Sequence, residues 1–405
     1  MVRTPLLFIT PYFPDPEGTG SMRRAHAVLA SLVRLHDVTV LTITFAWHCP
    51  DANAIPPGCV ARRHLPHDQG LNSFWRWRRR LAERWPGLYS RLFDTPLDWG
   101  VPSPARLEIA KQLAGNTPFL VIHAFRMTMV PYTLAIAGAQ ISRPRLHLDI
   151  DDVESTTHAR IAALALANRD SALHRREHIN ALAYARCERT LLPPFDRLYV
   201  GSSNDARLVA HAGREVRVLP NTAPVPPGPI APAPSCDTHR FLFIGSLGYT
   251  PNDDAVRWFC EEIFPLLRSV RRCELVVAGR GANDALKRFL AGREGVDFLG
   301  EVTTSAPVFA DAHSVVVPLR AGGGTRIKIL EAFAAGRPVV TTTLGIEGID
   351  SLPGEHHLAA DTAGAFAAAC LRLVDEPSLR DSLASAALRL VSSRHSPAAL
   401  DAVLA

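Results

Sequence analysis

The sequence lacks any long apolar run. None of its 405 residues lie in a stretch of about 18 or more consecutive apolar side chains, so no transmembrane helix is predicted. The N-terminus, MVRTPLLFITPYFP, has an apolar run too short for the core of a signal peptide. We therefore expect a cytoplasmic protein. Any membrane contact would be peripheral, at the inner face of the membrane.

Paired cysteines and a strong charge of one sign are also missing. Scattered cysteines without a CxxC pair predict reduced thiols in a cytosolic protein and no zinc site. The net charge of +5 suits an acidic small ligand or an anionic membrane surface, but it is too weak to predict a nucleic-acid partner. The seven cysteines are Cys49, Cys59, Cys187, Cys236, Cys260, Cys273 and Cys370.

Short apolar runs alternate with helical stretches along most of the chain. Near-continuous apolar strands alternating with helices are typical of parallel sheets covered on both faces. The pattern predicts an α/β protein with two doubly wound, Rossmann-like domains. Strands are predicted at 6–10, 37–43, 119–125, 145–151, 197–203, 216–220, 240–245, 274–279, 296–300, 314–319 and 338–343, and helices include 21–34 and 159–192.

A proline-rich segment divides this pattern. PNTAPVPPGPIAPAPS (220–235) contains seven prolines and cannot form a regular helix or strand. We predict a first domain at 1–219, a linker at 220–238 and a second domain at 239–385. Residues 386–405 would form a helical tail that could pack back on the first domain.

The stretch AGGGTRIKILEAFAAGRPVV (321–340) lies where a predicted strand leads into a helix. Doubly wound sheets bind ligands beyond the carboxyl ends of their strands. The glycines at 322–324 would let backbone amides approach a ligand, and a helix over 325–335 would point its N-terminus at an anion.

Two cations stand at the predicted start of this helix. Arg326 and Lys328 occupy a first turn, where the helix dipole disfavours each of them by about 0.3–1 kcal/mol. A bound diphosphate would explain the placement. Glu331 shares a helix face with Lys328 and could accept hydrogen bonds from ribose hydroxyls. The alternative is an ordinary packed helix with a solvated Lys–Glu pair.

The segment PLRAGGGTRIKILEAFAAGRPVVTTTLGIEGI (318–349) resembles the donor-site signature of family-4 glycosyltransferases. It is most similar to the bacterial polysaccharide-type sugar transferases of that family. The resemblance continues in the same order through FIGSLGYTPNDDAVRWFCEEIFPLLR (243–268), LVVAGRG (275–281) and VDFLGEV (296–302), and more loosely in PYFPDPEGTGSMRR (11–24) and LDIDDVEST (148–156).

This resemblance implies the GT-B fold, with two Rossmann-like domains facing a central cleft. The first domain would bind the acceptor and the second the nucleotide sugar. It further implies transfer of a sugar from a nucleotide-diphosphate donor to a hydroxyl of a saccharide, lipid-linked or small-molecule acceptor, with retention. The family requires no metal ion for chemistry, no further cofactor and no protein nucleophile. Two alternatives remain: a nucleotide-sugar epimerase of the same fold, and a non-catalytic nucleotide-sugar-binding protein.

The resemblance also implies roles for residues of the second domain. Glu331 would hold the ribose, while Arg326 and Lys328 would stabilise charge on the leaving diphosphate. The remaining donor-binding residues are Gly322, Gly323, Gly324 and Thr325 beside the diphosphate and sugar, Gly245 and Ser246 beside the phosphates, and Arg280, Gly300 and Val302 beside the base.

The chain departs from the family pattern at two places. Many members have a glutamate near the sugar where this chain has Gly323. An Arg/Lys pair that often follows the first strand of the donor domain is replaced by residues 249–252, YTPN. We hypothesise that Arg326 and Lys328 supply the missing charge from the other side of the diphosphate.

Candidates in the first domain are fewer. Gly18 and Gly20, in the turn after strand one, could bring backbone amides near the donor phosphate or the acceptor, and Arg23 or Arg24 could face the same cleft. His123 is placed at a strand end, where its family counterpart lines the cleft near the transferred sugar. Without that context it is equally a satisfied core histidine.

The motif DIDD (149–152) has several interpretations. Asp151 or Asp152 could order the acceptor or pair with an arginine such as Arg160. Asp152 could instead cap the following helix. A divalent ion on these carboxylates is the less favoured hypothesis.

Residues 74–91, FWRWRRRLAERWPGLYSR, combine three tryptophans with six arginines. This composition fits an interfacial helix whose rings lie at the lipid headgroups while the arginines contact anionic lipid. A helix with a solvated basic face is the alternative.

Overall fold

The structure is a computed structural model that describes residues 3–44, 56–66, 73–93, 95–97, 99, 102–225 and 238–405. The chain divides into two compact units: Met1–Pro220 with Leu400–Ala405, and Asn221–Ala399. Residues 226–237 of the predicted linker, together with Cys49 and Cys236, lie outside the described residues. No helix in the described ranges is both long and apolar enough to cross a membrane.

The N-terminal unit is built on a parallel sheet of seven described strands in the order β3-β2-β1-β4-β5-β6-β7. The strands are β1 (Pro5–Thr10), β2 (Asp37–Ile43), β3 (Ala61–Leu65), β4 (Val121–Phe125), β5 (Arg145–Asp151), β6 (Arg197–Val200) and β7 (Glu215–Val218). The helices are α1 (Gly20–Leu35), α2 (Ser73–Arg84), α3 (Pro86–Leu92), α4 (Pro104–Ala114), α5 (Val130–Ala137), α6 (Glu154–Ala167), α7 (Ser171–Leu191) and α8 (Ser203–Val209).

The C-terminal unit repeats the plan with a parallel sheet in the order β10-β9-β8-β11-β12-β13. Its strands are β8 (His239–Ile244), β9 (Cys273–Ala278), β10 (Val296–Gly300), β11 (Ser314–Val317), β12 (Val339–Thr341) and β13 (Leu358–Ala359). Its helices are α9 (Thr250–Trp258), α10 (Phe264–Arg268), α11 (Asp284–Ala291), α12 (Ala306–Ala310), α13 (Ile327–Ala334), α14 (Ala363–Asp375) and α15 (Pro377–Arg394); α16 (Pro397–Leu404) crosses the unit boundary at Leu400.

Apolar strands determine both cores. β1 is buried from its second residue onward, and all four residues of β11, SVVV, are buried. Leu400 and Leu404 of α16 pack into the N-terminal core on the α1 side of the sheet. The predicted α/β fold with two doubly wound sheets is confirmed.

Each sheet reverses its strand order at one place. In the N-terminal unit the reversal lies between β1 and β4, and in the C-terminal unit between β8 and β11. Ligands of doubly wound proteins bind in the crevice at this switch point, beyond the carboxyl ends of the strands. The turns after β8 and β11 therefore lie where this fold binds ligands.

Two local predictions require correction. The predicted helix at 159–192 is two helices, α6 and α7, separated at Arg169, whose φ is 60°. The helix predicted over 325–335 begins at Ile327, so Arg326 is its N-cap residue. Its end is as predicted: Gly336 and Arg337 donate backbone hydrogen bonds to Phe333 and Ala332, which is the Schellman pattern.

Candidate functional site

Lys328 joins the two turns that flank the C-terminal switch point. Its Nζ donates a hydrogen bond to Oδ1 of Asn252 at 2.8 Å and lies 4.4 Å from the ring centroid of Phe243. Nδ2 of Asn252 donates to the carbonyl oxygen of Ser246 at 2.8 Å. A side chain from α13 is thereby fixed against the turn between β8 and α9.

Gly245 provides the space for this ammonium group. A Cβ placed on Gly245 would lie 2.5 Å from Nζ of Lys328 and 3.1 Å from Nδ2 of Asn252. Any larger residue would therefore have to displace Lys328. The glycine after β8 and the lysine on α13 form one structural arrangement.

Burial lowers the pKa of Lys328 to about 7. The neighbouring positive charge of Arg326 lowers this pKa further, while Glu331 acts in the opposite direction. A lysine amine with so low a pKa gains a proton when an anion binds nearby, because the opposite charge favours the ammonium form. The site is therefore electrostatically prepared for an anionic ligand.

Arg326 stands at the N-cap of α13 and is 8% exposed. Its Nη1 donates to the carbonyl oxygen of Gly324 at 2.8 Å. Its Nε and Nη2 are buried and have no hydrogen-bond partner among the described residues. Gly322, at φ 116°, lies against this guanidinium. Unsatisfied buried donors at a helix N-terminus are typical of an anion site.

Glu331 is held in place by a residue from another loop. Its Oε1 accepts a hydrogen bond from Oγ of Ser305 at 2.8 Å. Ser305 precedes α12 and is 26 positions away in the sequence. The carboxylate is thereby oriented on the same helix that carries Lys328.

Backbone hydrogen bonds connect the remaining predicted donor-binding residues. The amide of Leu247 donates to the carbonyl of Arg280 at 2.7 Å, and the amide of Gly279 donates to that of Gly300 at 2.7 Å. Val302 packs against the C-terminal core, and Oγ1 of Thr325 donates to Gly348. The structure therefore brings the predicted residues of the second domain to one edge of its sheet.

Sequence reasoning missed Asn252 and Ser305 as members of this arrangement. Asn252 occurs in the segment noted only for its lack of the family's Arg/Lys pair, and Ser305 lies in a loop with no motif. Neither residue has a local sequence signal, because each contacts a site residue that is far away in the sequence: Asn252 contacts Lys328, and Ser305 contacts Glu331.

In the N-terminal unit His123 lies in the middle of β4, not at its end, and is fully buried. Its ring stacks on Tyr199 at 5.3 Å, and both ring nitrogens lack a hydrogen-bond partner among the described residues. Burial, followed by His147 and Arg24, lowers the pKa of His123 well below its usual value. The structure places it as a neutral core residue.

Asp151 belongs to a buried ion-pair network at the carboxyl end of β5. It pairs with Nη1 of Arg126 at 2.9 Å and with Nε of Arg24 at 3.3 Å. Arg24 also pairs with Asp149 at 2.9 Å, so it is a structural residue of this network. Asp151 and Arg126 both have positive φ, at 64° and 73°.

Asp152 does not cap the following helix. The N-cap residue of α6 is Val153, without a side-chain cap, so this alternative was wrong. Burial and the neighbouring Asp151 raise the pKa of Asp152 to about 8, against the effect of Arg126. Within the described ranges no group of three or more His, Cys, Asp or Glu side chains is placed to hold a metal ion.

Gly18 and Gly20 lie in the turn between β1 and α1. Gly20 is the first residue of α1, and the carbonyl of Gly18 accepts a hydrogen bond from Nε of Arg23 at 2.9 Å. The turn thus lies at the carboxyl end of β1, beside the switch point of the N-terminal sheet.

Comparison with known proteins gives two kinds of similarity. Residues 238–376 match the family described as glycosyl transferases group 1. No curated protein sequence matches the chain.

Solved structures resemble the whole chain at low sequence identity. Sucrose-phosphate synthase from Thermosynechococcus elongatus is 15% identical, with a TM-score of 0.68 over 99% of this chain and 97% of that protein. Anabaena HepE in complex with UDP-glucose is 13% identical, with a TM-score of 0.64 over 98% and 97%. A variant of S. aureus TarM in complex with fondaparinux, α-GlcNAc-glycerol and UDP is 10% identical, with a TM-score of 0.64 over 98% and 98%.

The full-length likeness establishes the fold, and the family match falls on the unit that carries Lys328, Arg326 and Glu331. The chain has the GT-B fold, and residues 238–376 of its C-terminal unit are similar to the group 1 glycosyl transferases.

Proposed function

We propose that the protein transfers a sugar from a nucleotide-diphosphate donor to an acceptor hydroxyl, with retention of configuration. The observation that carries the proposal is the pair of cations at the N-terminus of α13. Arg326 has buried donors without partners among the described residues, and Lys328 has a pKa lowered to about 7. A bound diphosphate would accept hydrogen bonds from the Arg326 donors and would favour the protonated form of Lys328.

The chemistry follows from this charge. When the bond between the sugar C1 and the diphosphate oxygen breaks, negative charge develops on the leaving group. Arg326, Lys328 and the first amides of α13 stabilise that charge without having to reorient. The acceptor oxygen bonds to C1 on the face that the diphosphate leaves, and its proton passes to the departing phosphate oxygen.

No protein nucleophile takes part in this scheme. The two cations supply the positive charge that a divalent ion would otherwise provide, so we propose a reaction that is independent of metal ions. Gly323, where many relatives have a glutamate, leaves the hydroxyls of the transferred sugar to other groups.

The nucleoside is the second part of the donor. We propose that Glu331 accepts hydrogen bonds from the ribose hydroxyls and that the backbone near Arg280, Gly300 and Val302 contacts the base. Support comes from the position of these residues on one edge of the C-terminal sheet and from solved structures of the same fold that contain UDP. UDP is therefore the first probe.

We propose that the acceptor is a saccharide, either free or lipid-linked. Transfer would take place in the cytoplasm, and for a lipid-linked acceptor at the inner face of the membrane. HepE and TarM complexes that contain glucose or saccharide ligands support this class. Asp151 is engaged in ion pairs with Arg24 and Arg126, and His123 is fully buried within β4, so we assign both to support of the N-terminal unit.

The test is turnover of nucleotide sugars by the purified protein. UDP- and GDP-sugars are incubated with and without mono- and oligosaccharide acceptors, and the anomeric configuration of the product is read by NMR. We expect the rate of nucleotide release to rise with acceptor concentration. The product should have the same anomeric configuration as the donor sugar. Interconversion of the donor sugar without acceptor would establish an epimerase instead, and binding without turnover a nucleotide-sugar sensor.

Two substitutions connect the activity to the proposed site. Arg326→Met and Lys328→Met should each weaken UDP binding, whereas Arg288→Met, at an exposed position on α11, should leave it unchanged. Unchanged affinity in Lys328→Met would contradict the assignment of this residue to the diphosphate.

A further inference from the structure

Helices α2 and α3 expose a set of large apolar side chains. Each of these side chains is between 46% and 57% exposed. Trp85, Leu88 and Leu92 are spaced three and four residues apart, so they share one face of α3. The exposed set comprises Phe74 and Trp77 on α2, Trp85 just before α3, and Leu88 and Leu92 on α3.

A buried arginine connects these two helices. The guanidinium of Arg78 lies 4.1 Å from the ring centroid of Phe93 and 5.1 Å from that of Trp75. It also donates to Oγ1 of Thr95 at 2.7 Å and to the hydroxyl of Tyr89 at 3.2 Å. Arg78 is therefore part of the small core between the helices. The exposed rings therefore project from a packed helix pair with a small core of its own.

The pair is also fixed to helix α7. The amide of Leu97 donates to Oδ1 of the buried Asn180 at 2.8 Å. Between α3 and α7 lies an open groove of about 600 Å³ whose lining is mostly apolar and includes two arginines. Its lining residues are Arg84, Trp85, Pro86, Gly87, Leu88, Arg175 and Ile179.

The net charge of the protein is concentrated here. Residues 73–93 contain six arginines and one glutamate, a net charge of +5, which equals the net charge of the whole chain. The remainder of the chain is therefore neutral on balance. Arg79 is paired with Glu83 at 3.0 Å, and Arg84 lies 5.5 Å from the ring centroid of Trp85. Apolar rings and positive charge thus occupy the same surface.

We propose that the surface formed by α2, α3 and the adjacent groove of α7 binds an anionic phospholipid bilayer. Tryptophan rings partition to the headgroup level, arginines pair with lipid phosphates, and the mostly apolar lining of the groove suits an acyl chain. A second copy of this chain is a poor occupant, because two such surfaces would each bring a charge of +5 to the contact.

Co-sedimentation of the full-length protein with vesicles tests the proposal. We expect binding to vesicles in which about a third of the lipid is phosphatidylglycerol and little binding to phosphatidylcholine alone, with loss of binding as salt rises, since salt screens surface charge. Equal binding to both kinds of vesicle, or to neither, would overturn it.

Two variants locate the surface. Arg80→Glu, Arg84→Glu and Arg91→Glu together should lower the vesicle partition coefficient by on the order of 100-fold, given roughly five-fold for each basic residue at an anionic surface. Trp77→Ser with Trp85→Ser should lower it about tenfold at unchanged charge. Circular dichroism and thermal unfolding would verify that both variants fold.

A charge-matched variant supplies the control. Arg207→Glu, Arg288→Glu and Arg389→Glu change the net charge equally at exposed positions outside the surface and should preserve binding. An equal loss in this control would reduce the effect to net charge and refute the proposal. The proposal would also be refuted if light scattering showed that the protein is a dimer without lipid and that the tryptophan substitutions dissociate this dimer. Sugar transfer is assayed separately in detergent-free solution, so its failure would leave the membrane result intact.

Discussion

Nζ of Lys328 and Oδ1 of Asn252 are 2.8 Å apart, although the two residues are separated by 76 positions in the sequence. The opposite end of the Asn252 amide is fixed by the carbonyl of Ser246, so its oxygen faces the lysine. A positive charge from α13 thereby reaches the turn that follows β8. This relationship determines how the proposed diphosphate site should respond to pH and to substitution.

Replacing the amide by a carboxylate should shift the pH dependence of nucleotide binding. We expect the affinity of the wild type for UDP to fall above about pH 7, as Lys328 loses its proton. In Asn252→Asp the added negative charge should raise the lysine pKa by about one unit and move this fall to higher pH. Calorimetry across the range would measure it. An unshifted profile in Asn252→Asp would show that Asn252 does not position the ammonium group.

A methyl group on Gly245 should displace Lys328, since the new Cβ would lie 2.5 Å from Nζ. We expect Gly245→Ala to weaken UDP binding about as much as Lys328→Met, roughly ten- to a hundred-fold for a lost hydrogen bond to a charged group. In the double variant the two losses should not add, because both act on the same contact. Gly292→Ala, where a Cβ meets nothing within 4 Å, is the matched control. Fully additive losses would contradict the steric argument.

The sequence identified most of the fold and only part of the site. Buried strands such as β11 were predictable because three consecutive valines favour a buried strand. β3, ARRHL, was missed because its charged side chains occupy an edge strand, where hydrophobic patterning is weak. The cations and Glu331 share one contiguous segment with a readable pattern. Asn252 and Ser305 join the site through tertiary packing, which leaves no local signal.

Lys328 should also affect stability in a pH-dependent way. Its pKa in the folded protein is about 7, against 10.5 as the usual value, so between these values the unfolded chain binds a proton that the folded chain does not. The stability of the wild type should therefore rise with pH through this window. Lys328→Met should lack that rise, and its stability gain over wild type should be largest at or below pH 7. Urea unfolding at several pH values would measure it, with the exposed Lys287→Met as control. Parallel profiles for the two proteins would contradict the lowered pKa.

Loss of the Ser305 hydroxyl should act on the ribose alone. Oγ of Ser305 donates to Oε1 of Glu331 at 2.8 Å and so fixes the carboxylate. We expect Ser305→Ala to weaken UDP binding by roughly two- to tenfold, the usual net value of one hydrogen bond, while the affinity for 2′,3′-dideoxy-UDP stays the same. Ser305→Thr, which keeps the hydroxyl, should restore the difference between the two nucleotides. An equal loss for both nucleotides in Ser305→Ala would indicate a structural effect unrelated to the ribose.

For Asp152, in the N-terminal unit, we expect the opposite pH dependence of stability. Burial and Asp151 raise its folded pKa to about 8, from a usual value of 3.8, so in this window the folded chain holds a proton that the unfolded chain has lost. Wild-type stability should therefore fall as pH rises from about 4 to about 8. Asp152→Asn removes the ionisable group, and its advantage over wild type should grow through the same range and then stay constant. The exposed Asp381→Asn is the control, and it should follow the wild type throughout. Thermal unfolding measured across this range decides the matter: an Asp152→Asn protein that loses stability in parallel with the wild type would place the proton on another member of the network around Arg126.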